Sequence, residues 1–530
     1  MPHTHRRIPF VIAALALLVL NVVNAAAEEA YTDWAGVAEL HKAMRDGTLS
    51  AAVLVERHIA RIEQLNPELN AVIAVDPSAR AQARALDAQL TTGEWAGPLH
   101  GIPILIKDNI ETRDQPTTAG SLALANNDTG RDAPVITRLR EAGAVILGKA
   151  NLSEWANFRS ERSSSGWSAT GGQTRNPYDP NRSPCGSSSG SGVSVAAGMA
   201  VLAVGTETNG SIVCPASASG VVGIKPTVGL VSRTHIVPIS HSQDTAGPMA
   251  RSVYDAAMML GVMAGLDIAD PATNERPAWS PTTLVRHVQA DGLRGKRIGV
   301  LRSSAGFHGE VDQLLEEAID SMRASGAQIV DGIEWQTSQN LFAESYDMFG
   351  QAYNVLLYEF KHDLNAYLAG LPNPDLAEMS LADLIQFNRT HADQEMPWFK
   401  QEIFELAQAK GPLSDENYID ALVGIQKAAR EDGIDKLLID HELDALIAPT
   451  APPGWSIDLI NGDNSLGGSS SLAAISGYPN MTVPMGQVHG MPVGLSIFGA
   501  KFSEPTLIEI ASGFEHTAGG FSPPNLEFMD

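Results

Sequence analysis

The stretch from Ser153 to Ser194 constrains this chain more than any other segment, because it is crowded with serine and glycine. Such a composition ordinarily marks a flexible linker. Here it runs directly into small-residue segments, Val193 to Met199 and Val201 to Val204, which have the length and apolarity of ordered elements. Small side chains at that density allow backbones to approach closely, so the stretch is expected to be packed interior. The 48 glycines and 31 prolines of the whole chain imply many tight turns as well.

The sequence around it alternates between helical and strand patterns. Ser50 is placed as the N-cap of a helix whose apolar stripe is Val55, Ile59 and Ile62. A second helical run extends from Ser78 to Leu90. Gly101 to Ile106 is a continuous apolar run of strand length that stops abruptly at Lys107-Asp108-Asn109. Pro134 to Glu141 reads as a helix and Ala144 to Leu147 as a buried strand. This alternation predicts an α/β layer architecture. Residues from about 335 to 435 are richer in charge and in helical pattern, and are read as a helical insertion or cap. No internal repeat or domain boundary is evident, so residues 28–530 are read as one domain, although 530 residues would allow several.

Composition excludes several classes. With 44% hydrophobic residues the chain can bury a core, so disorder is not its main state. Its 36 Lys+Arg against 61 Asp+Glu give a formal charge of −25, which repels phosphate backbones and argues against a nucleic-acid partner. Two cysteines cannot build a disulfide scaffold or a four-ligand zinc site. The 14 histidines show no metal-ligand spacing, and neither metal nor cofactor is expected.

The first residues combine His5-Arg6-Arg7, an apolar run from Phe10 to Val23, and Ala25-Ala26-Ala27 before Glu28-Glu29. That order describes a secretory signal peptide over residues 1–27, and the run is shorter than the roughly 20 residues a spanning helix needs. Export to the periplasm or the exterior is therefore expected, an uncleaved anchor being the alternative. Residues 1–27 hold two arginines and no acidic residue, so cleavage would bring the charge to −27. No other segment is long and apolar enough to span a membrane.

Three motifs compete for the chemistry. Gly143 to Ala150 nearly matches a phosphate-binding loop, but Ala, Val, Ile and Leu fill it as they would a strand, and Ala150 offers no hydroxyl. Gly186-Ser187-Ser188-Ser189-Gly190 matches a nucleophile elbow with Ser188 as nucleophile. An elbow needs a strand before it, and Asp179 to Pro184 is polar and broken by prolines. The third reading joins Lys107, Ser187 and Ser211. Lys107 ends an apolar strand, where burial would depress its pKa and leave a neutral amine. Thr208-Asn209-Gly210-Ser211 follows another apolar strand, and its glycine lets backbone N–H groups face an oxyanion. Each piece also has a plainer reading, as a solvated lysine or an ordinary turn.

Gly186 to Ser191, Gly205 to Ser211 and Gly223 to Thr227 together resemble the amidase signature family. Gly101 to Asn109, Thr117 to Ser121, Asp244 to Pro248, Arg251, Asp255, Ala448 to Thr450 and Pro492 to Leu495 fit the same pattern, so the resemblance spans most of the chain. It implies one three-layer α/β/α domain around a large mixed β-sheet. It also implies hydrolysis of amides by a Ser–cis-Ser–Lys triad without metal or cofactor. Carried over by motif position, Ser211 is the acyl-forming nucleophile, Ser187 the bridging serine and Lys107 the base, with a cis peptide between Gly186 and Ser187. Backbone N–H groups across Thr208, Asn209, Gly210 and Ser211 would form the oxyanion hole, and Ser188 would support the triad through a hydrogen bond.

Two departures bear on substrate. Many relatives have glycine where Asn209 stands, so this side chain must point away from the turn. Relatives often carry arginine two or three residues past the nucleophile, where this chain has Val213 and Cys214, which argues against small anionic acyl groups. The wording of Thr206 to Pro215, Gly229 to Arg233 and Ser242 to Thr245 is most similar to that of bacterial peptide amidases, which remove the C-terminal amide of peptides. Hydrolysis of fatty-acyl, aryl or xenobiotic amides is the alternative within the family. A role amidating charged tRNA is disfavoured by the export signal and the negative charge. Outside the family, a catalytically silent binding protein or an esterase using Ser188 remain as readings. If Ser187 and Ser211 touch, Cys185 and Cys214 come close too. Two small buried thiols are expected there, although export would permit a bridge.

Overall fold

The computed structural model describes residues 33–335 and 345–527. The segment expected to be a signal peptide, residues 1–27, lies outside the described residues.

Thirteen strands are formed among the described residues: β1 (Val72–Val75), β2 (Pro103–Lys107), β3 (Val145–Ala150), β4 (Trp167–Ser168), β5 (Gly172–Gln173), β6 (Leu202–Glu207), β7 (Val222–Lys225), β8 (Thr245–Ala250), β9 (Arg297–Leu301), β10 (Gln328–Ile333), β11 (Ala445–Pro449), β12 (Asn480–Val488) and β13 (Met491–Phe498). Eleven of them make one sheet in the order β1-β3-β2-β6-β8-β7-β12-β13-β11-β9-β10, and β4 and β5 form a separate hairpin. The sheet is mixed. β3, β2 and β6 run parallel as neighbours, as do β11, β9 and β10, while the strands between β6 and β11 pair antiparallel.

The apolar runs in the sequence explain why the sheet is interior. Every residue of β2, β3, β6, β7, β8, β11 and β13 is buried, which requires cover on both faces and so gives a three-layer α/β/α arrangement. The first predicted helix forms as Ala51–Leu69. Ser50 Oγ accepts the Val53 N–H at 3.2 Å, and Leu54, Val55, Ile59 and Ile62 face the core. Gly143 to Ala150 is the turn into β3 and β3 itself, not a phosphate loop. Lys149 is buried there, donating to the Ile110 carbonyl at 2.6 Å and pairing with Asp108 at 3.2 Å. The serine- and glycine-rich stretch is interior too, since Ser187 to Ala200 are all buried and Ser189–Ala196 is a helix.

Glycines in the sheet make that closeness possible. Gly205 on β6 lies opposite Gly247 on β8. A Cβ on Gly247 would stand 2.0 Å from the Ile224 carbonyl oxygen, and one on Gly205 would stand 2.9 Å from Ser188 Oγ. Gly247→Ala is therefore expected to destabilise the fold by about 3 kcal/mol, because the obstacle is strand backbone that cannot rotate away. Chemical denaturation measures this, and a loss below about 0.5 kcal/mol would show that β7 and β8 separate freely.

Between β10 and β11 the described chain is helical. Helices Ser345–Ala369, Leu381–Thr390 and Glu402–Gln408 bring Phe360, Leu364, Leu368, Leu384 and Phe404 against Trp155, Phe158, Val237 and Ile239. This helical layer thus packs on loops that border the predicted site. Among the described residues no helix is long and apolar enough to cross a membrane.

Candidate active site

The parallel pairing of β2 with β6 sets Ile106 opposite Val204, so the ends of both strands deliver their next residues to one place. Lys107, the last residue of β2, has no exposed surface. Its Nζ lies 2.7 Å from Ser187 Oγ, 2.9 Å from Thr206 Oγ1 and 3.1 Å from the Thr206 carbonyl oxygen. Asn109 Nδ2 donates to the same Thr206 Oγ1 at 2.9 Å. Burial pushes the Lys107 pKa down to about 7, against the opposing attraction of the Asp244 and Glu207 carboxylates. The amine is therefore half neutral near neutral pH.

Ser187 sits on a loop fixed from both sides. Its carbonyl accepts the Ser153 N–H at 3.0 Å, and the Gly186–Ser187 peptide is cis. Gly186 is needed because a Cβ there would stand 2.3 Å from Ser153 Oγ. The next N–H, of Ser188, donates to the Ser211 carbonyl at 3.1 Å, so the Ser187 loop and the Ser211 turn lie side by side.

Ser211 follows Gly210, whose φ of +82° is the left-handed conformation that glycine adopts freely. The turn is held at several points. Thr208 Oγ1 donates to Asp244 Oδ1 at 2.6 Å, and Asp244 Oδ2 accepts the N–H groups of Ile239 and Ser240, each at 2.8 Å. Burial raises the Asp244 pKa to about 6, while these hydrogen bonds hold it down. Asn209 turns its side chain outward. Its Nδ2 donates to Ser471 Oγ at 3.2 Å and its Oδ1 accepts from Ser470 Oγ at 2.7 Å. Beyond Ser211, Glu207 Oε2 accepts the N–H groups of Ile212 at 2.7 Å and Val213 at 3.0 Å.

Lys107, Ser187, Gly186, Thr208, Asn209, Gly210 and Ser211 are thus gathered at one centre. Ser188 stands beside them. It is wholly buried, its Oγ donating to the Thr206 carbonyl at 3.0 Å and accepting the Thr206 N–H at 3.2 Å. No strand leads into it, as a nucleophile elbow would need, and its Oγ braces Thr206, which in turn contacts Lys107. The residues that sequence reasoning passed over are Thr206, Asn109, Glu207 and Asp244. All lie inside the quoted motifs, but their pairings arise only when strands are laid together. Sequence spacing also passed over His241, Glu359 and Asp363, whose ligand atoms lie within 4.8 Å of one another. Hydrogen bonds already engage them: Glu359 accepts from Ser242 Oγ and Tyr418 Oη at 2.9 and 2.8 Å, and Asp363 accepts the His241 N–H at 2.8 Å.

The expectation of two free thiols is corrected: Cys185 and Cys214 form a disulfide, with Cα atoms 5.9 Å apart. The reason is the hydrogen bond from Ser188 to Ser211, which brings together the residue three before one and the residue three after the other. Trp455 and Ala218 pack against the bridge. Alkylation in denaturant without reductant is expected to leave the mass unchanged, and two adducts are expected after reduction. Two adducts in both samples would remove the bridge.

A cavity of about 420 Å³ opens over Asn109, Thr206, Thr208 and Asp244. Ala156, Val237, Ile239 and Ala366 make much of its wall apolar, and Arg233 and His241 stand at its polar side.

Comparison with known proteins agrees with this arrangement: the family model Amidase matches residues 53–508. The chain belongs to the amidase family, and it is a hydrolase acting on amide C–N bonds. Among solved structures, the native peptide amidase from Stenotrophomonas maltophilia superposes with a TM-score of 0.87 at 48% identity, covering 93% of this chain and 98% of that one. A probable amidase of Arabidopsis thaliana is 40% identical over 496 residues, 92% of this chain and 91% of that protein. A glutamyl-tRNA(Gln) amidotransferase subunit from Halorhodospira halophila is 34% identical over 509 residues, 90% of this chain and 96% of that protein.

Proposed function

We propose that this enzyme hydrolyses primary carboxamides, in particular the C-terminal amide of peptides, through an acyl-enzyme on Ser211. The observation that carries the reading is the 2.7 Å contact between the buried Lys107 Nζ and Ser187 Oγ beside the Thr208–Ser211 turn. With Lys107 neutral, the Ser187 hydroxyl donates to Nζ and can accept the Ser211 proton in turn. Ser211 Oγ then bonds to the substrate carbonyl carbon. The resulting oxyanion is met by backbone N–H groups of Thr208 to Ser211, which need no reorganisation because Asp244 and Glu207 already hold the turn. The C–N bond breaks as the nitrogen takes a proton back through Ser187, releasing ammonia. Water attacks the acyl-enzyme by the same relay in reverse and frees the carboxylic acid. Protein groups alone balance every proton in this scheme.

The 48% identity to a peptide amidase supports the peptide C-terminus as the substrate end. The apolar wall of the cavity beside Thr206 and Thr208 suits an uncharged side chain on the acyl part. Export is proposed with it, on the strength of residues 1–27. A formal charge of −25 works against a tRNA-bound substrate.

The test is ammonia release from a panel of peptide amides, fatty-acyl amides, aryl amides and free glutamine. Peptide amides are expected to have the highest kcat/KM. A preference for fatty-acyl or aryl amides would replace the substrate reading, and no ammonia from any amide would remove the enzymatic one. Cell fractionation, with N-terminal sequencing of the mature protein, tests export.

A further inference from the structure

Next to the Ser211 turn lies a second buried ionic cluster that the hydrolytic scheme does not use. Lys225 ends β7 with no exposed surface, and its ammonium donates one hydrogen bond, of 3.3 Å, to the Pro226 carbonyl. Glu207 ends β6 and is 1% exposed. One of its carboxylate oxygens holds the N–H groups that follow Ser211, and the other, Oε1, has no hydrogen-bond partner. Glu504 begins the C-terminal helix Glu504–Ala518 and is 1% exposed. Its Oε1 accepts the Thr227 N–H at 2.8 Å, and its Oε2 has no partner. Asn480 lies directly opposite Lys225 in the β7–β12 pair, so their side chains share a face of the sheet. It is fully buried, and neither its amide oxygen nor its amide nitrogen is bonded.

Burial pushes the Lys225 pKa down to about 8, while the charges of Glu207 and Glu504 hold it up. Both carboxylates therefore act on this ammonium, yet among the described residues neither forms a direct ion pair with it. Charges that act on one another without pairing, beside the unpartnered oxygens of Glu207 and Glu504 and the unpartnered Asn480 amide, make an arrangement that bridging water satisfies.

We infer that Lys225, Glu207, Glu504 and Asn480 enclose an internal water site, and that Lys225 is a positioning residue acting through Glu207 on the turn that carries Ser211. The second half of this inference rests on the reading of Ser211 as nucleophile. Glu207 fixes the backbone directly after Ser211. Removing its buried countercharge frees the carboxylate to turn away, and the N–H groups facing the oxyanion lose their alignment. That loss falls on the transition state and leaves the bound amide in place, so it lowers kcat and spares KM.

A high-resolution crystal structure of the wild-type enzyme is expected to show ordered water within hydrogen-bonding distance of both Lys225 Nζ and Glu207 Oε1. A direct Lys225–Glu207 ion pair there would overturn the site. Lys225→Met is expected to lower kcat about tenfold with KM within about twofold, as is Glu207→Gln. The double variant is expected to be no slower than the poorer single one, because both changes remove the same coupling. Losses that multiply, or a change in KM alone, would overturn the positioning role. Should Lys225→Met not fold, Glu504→Gln weakens the same site from its far side and must show the same split. The crystallographic result does not depend on Ser211, so failure of the nucleophile assignment and failure of the water site are separately visible.

Discussion

Ser211→Ala is expected to abolish ammonia release, lowering kcat by at least about 10⁴ while the folded protein melts within a few degrees of wild type. The size of the effect follows from the chemistry at stake. The variant keeps the turn, its N–H groups and the cavity, so it still binds an amide and still polarises its carbonyl. It loses the oxygen that forms the covalent bond. Ser211 is 8% exposed and its hydroxyl makes no hydrogen bond among the described residues, so little stability rests on it. Ser187→Ala should be similarly inactive. Combining it with Ser211→Ala should add little, since the two groups act as one relay. An amide hydrolysed at the wild-type rate by Ser211→Ala would overturn the assignment of the nucleophile.

Lys107→Met is the second large effect, expected at about 10³ or more in kcat, because Ser187 then has no acceptor for its proton. The wild-type pH profile carries the same information in graded form. Lys107 is depressed to about 7 by burial, and only its neutral form accepts a proton from Ser187. The amine becomes protonated as pH falls, so kcat/KM is expected to be full well above pH 7 and to fall about tenfold per unit below it. Protonation of Asp244, whose pKa burial raises to about 6, steepens the loss further down, since Thr208 then loses an ionised partner. A kcat/KM that rises steadily on acidification would contradict Lys107 as the base.

Much of this centre is legible in the sequence. Lys107 is conspicuous as a charge closing an apolar run, and Gly210 marks a turn whose backbone can face a ligand. The strand and helix alternation predicts layers, and the two faces of cover follow from runs such as Ile102 to Ile106 that lack any polar alternation. Sheet order is not legible there. β6 and β8 are neighbours through an antiparallel register that sets Gly205 opposite Gly247, and nothing local in either strand names the other. Asp244 illustrates the same limit at the site. Its motif is visible, but its bond to Thr208 spans 36 residues and exists only in the assembled fold. The cysteine expectation failed for a related reason. Without the Ser188–Ser211 hydrogen bond, two small cysteines read as space-filling thiols, and the register that joins them comes from backbone pairing.

The bridge between Cys185 and Cys214 has a consequence for making the enzyme. It ties together the residue before Gly186 and a residue of the helix that begins after Ser211, so both serine loops inherit its state. Residues 28–530 produced in a reducing cytosol and the same residues released through an oxidising compartment would share one mass to within two hydrogens, yet differ in how firmly those loops are held. Preparations from the two routes are then different reagents, and thiol content belongs beside concentration when their specific activities are compared.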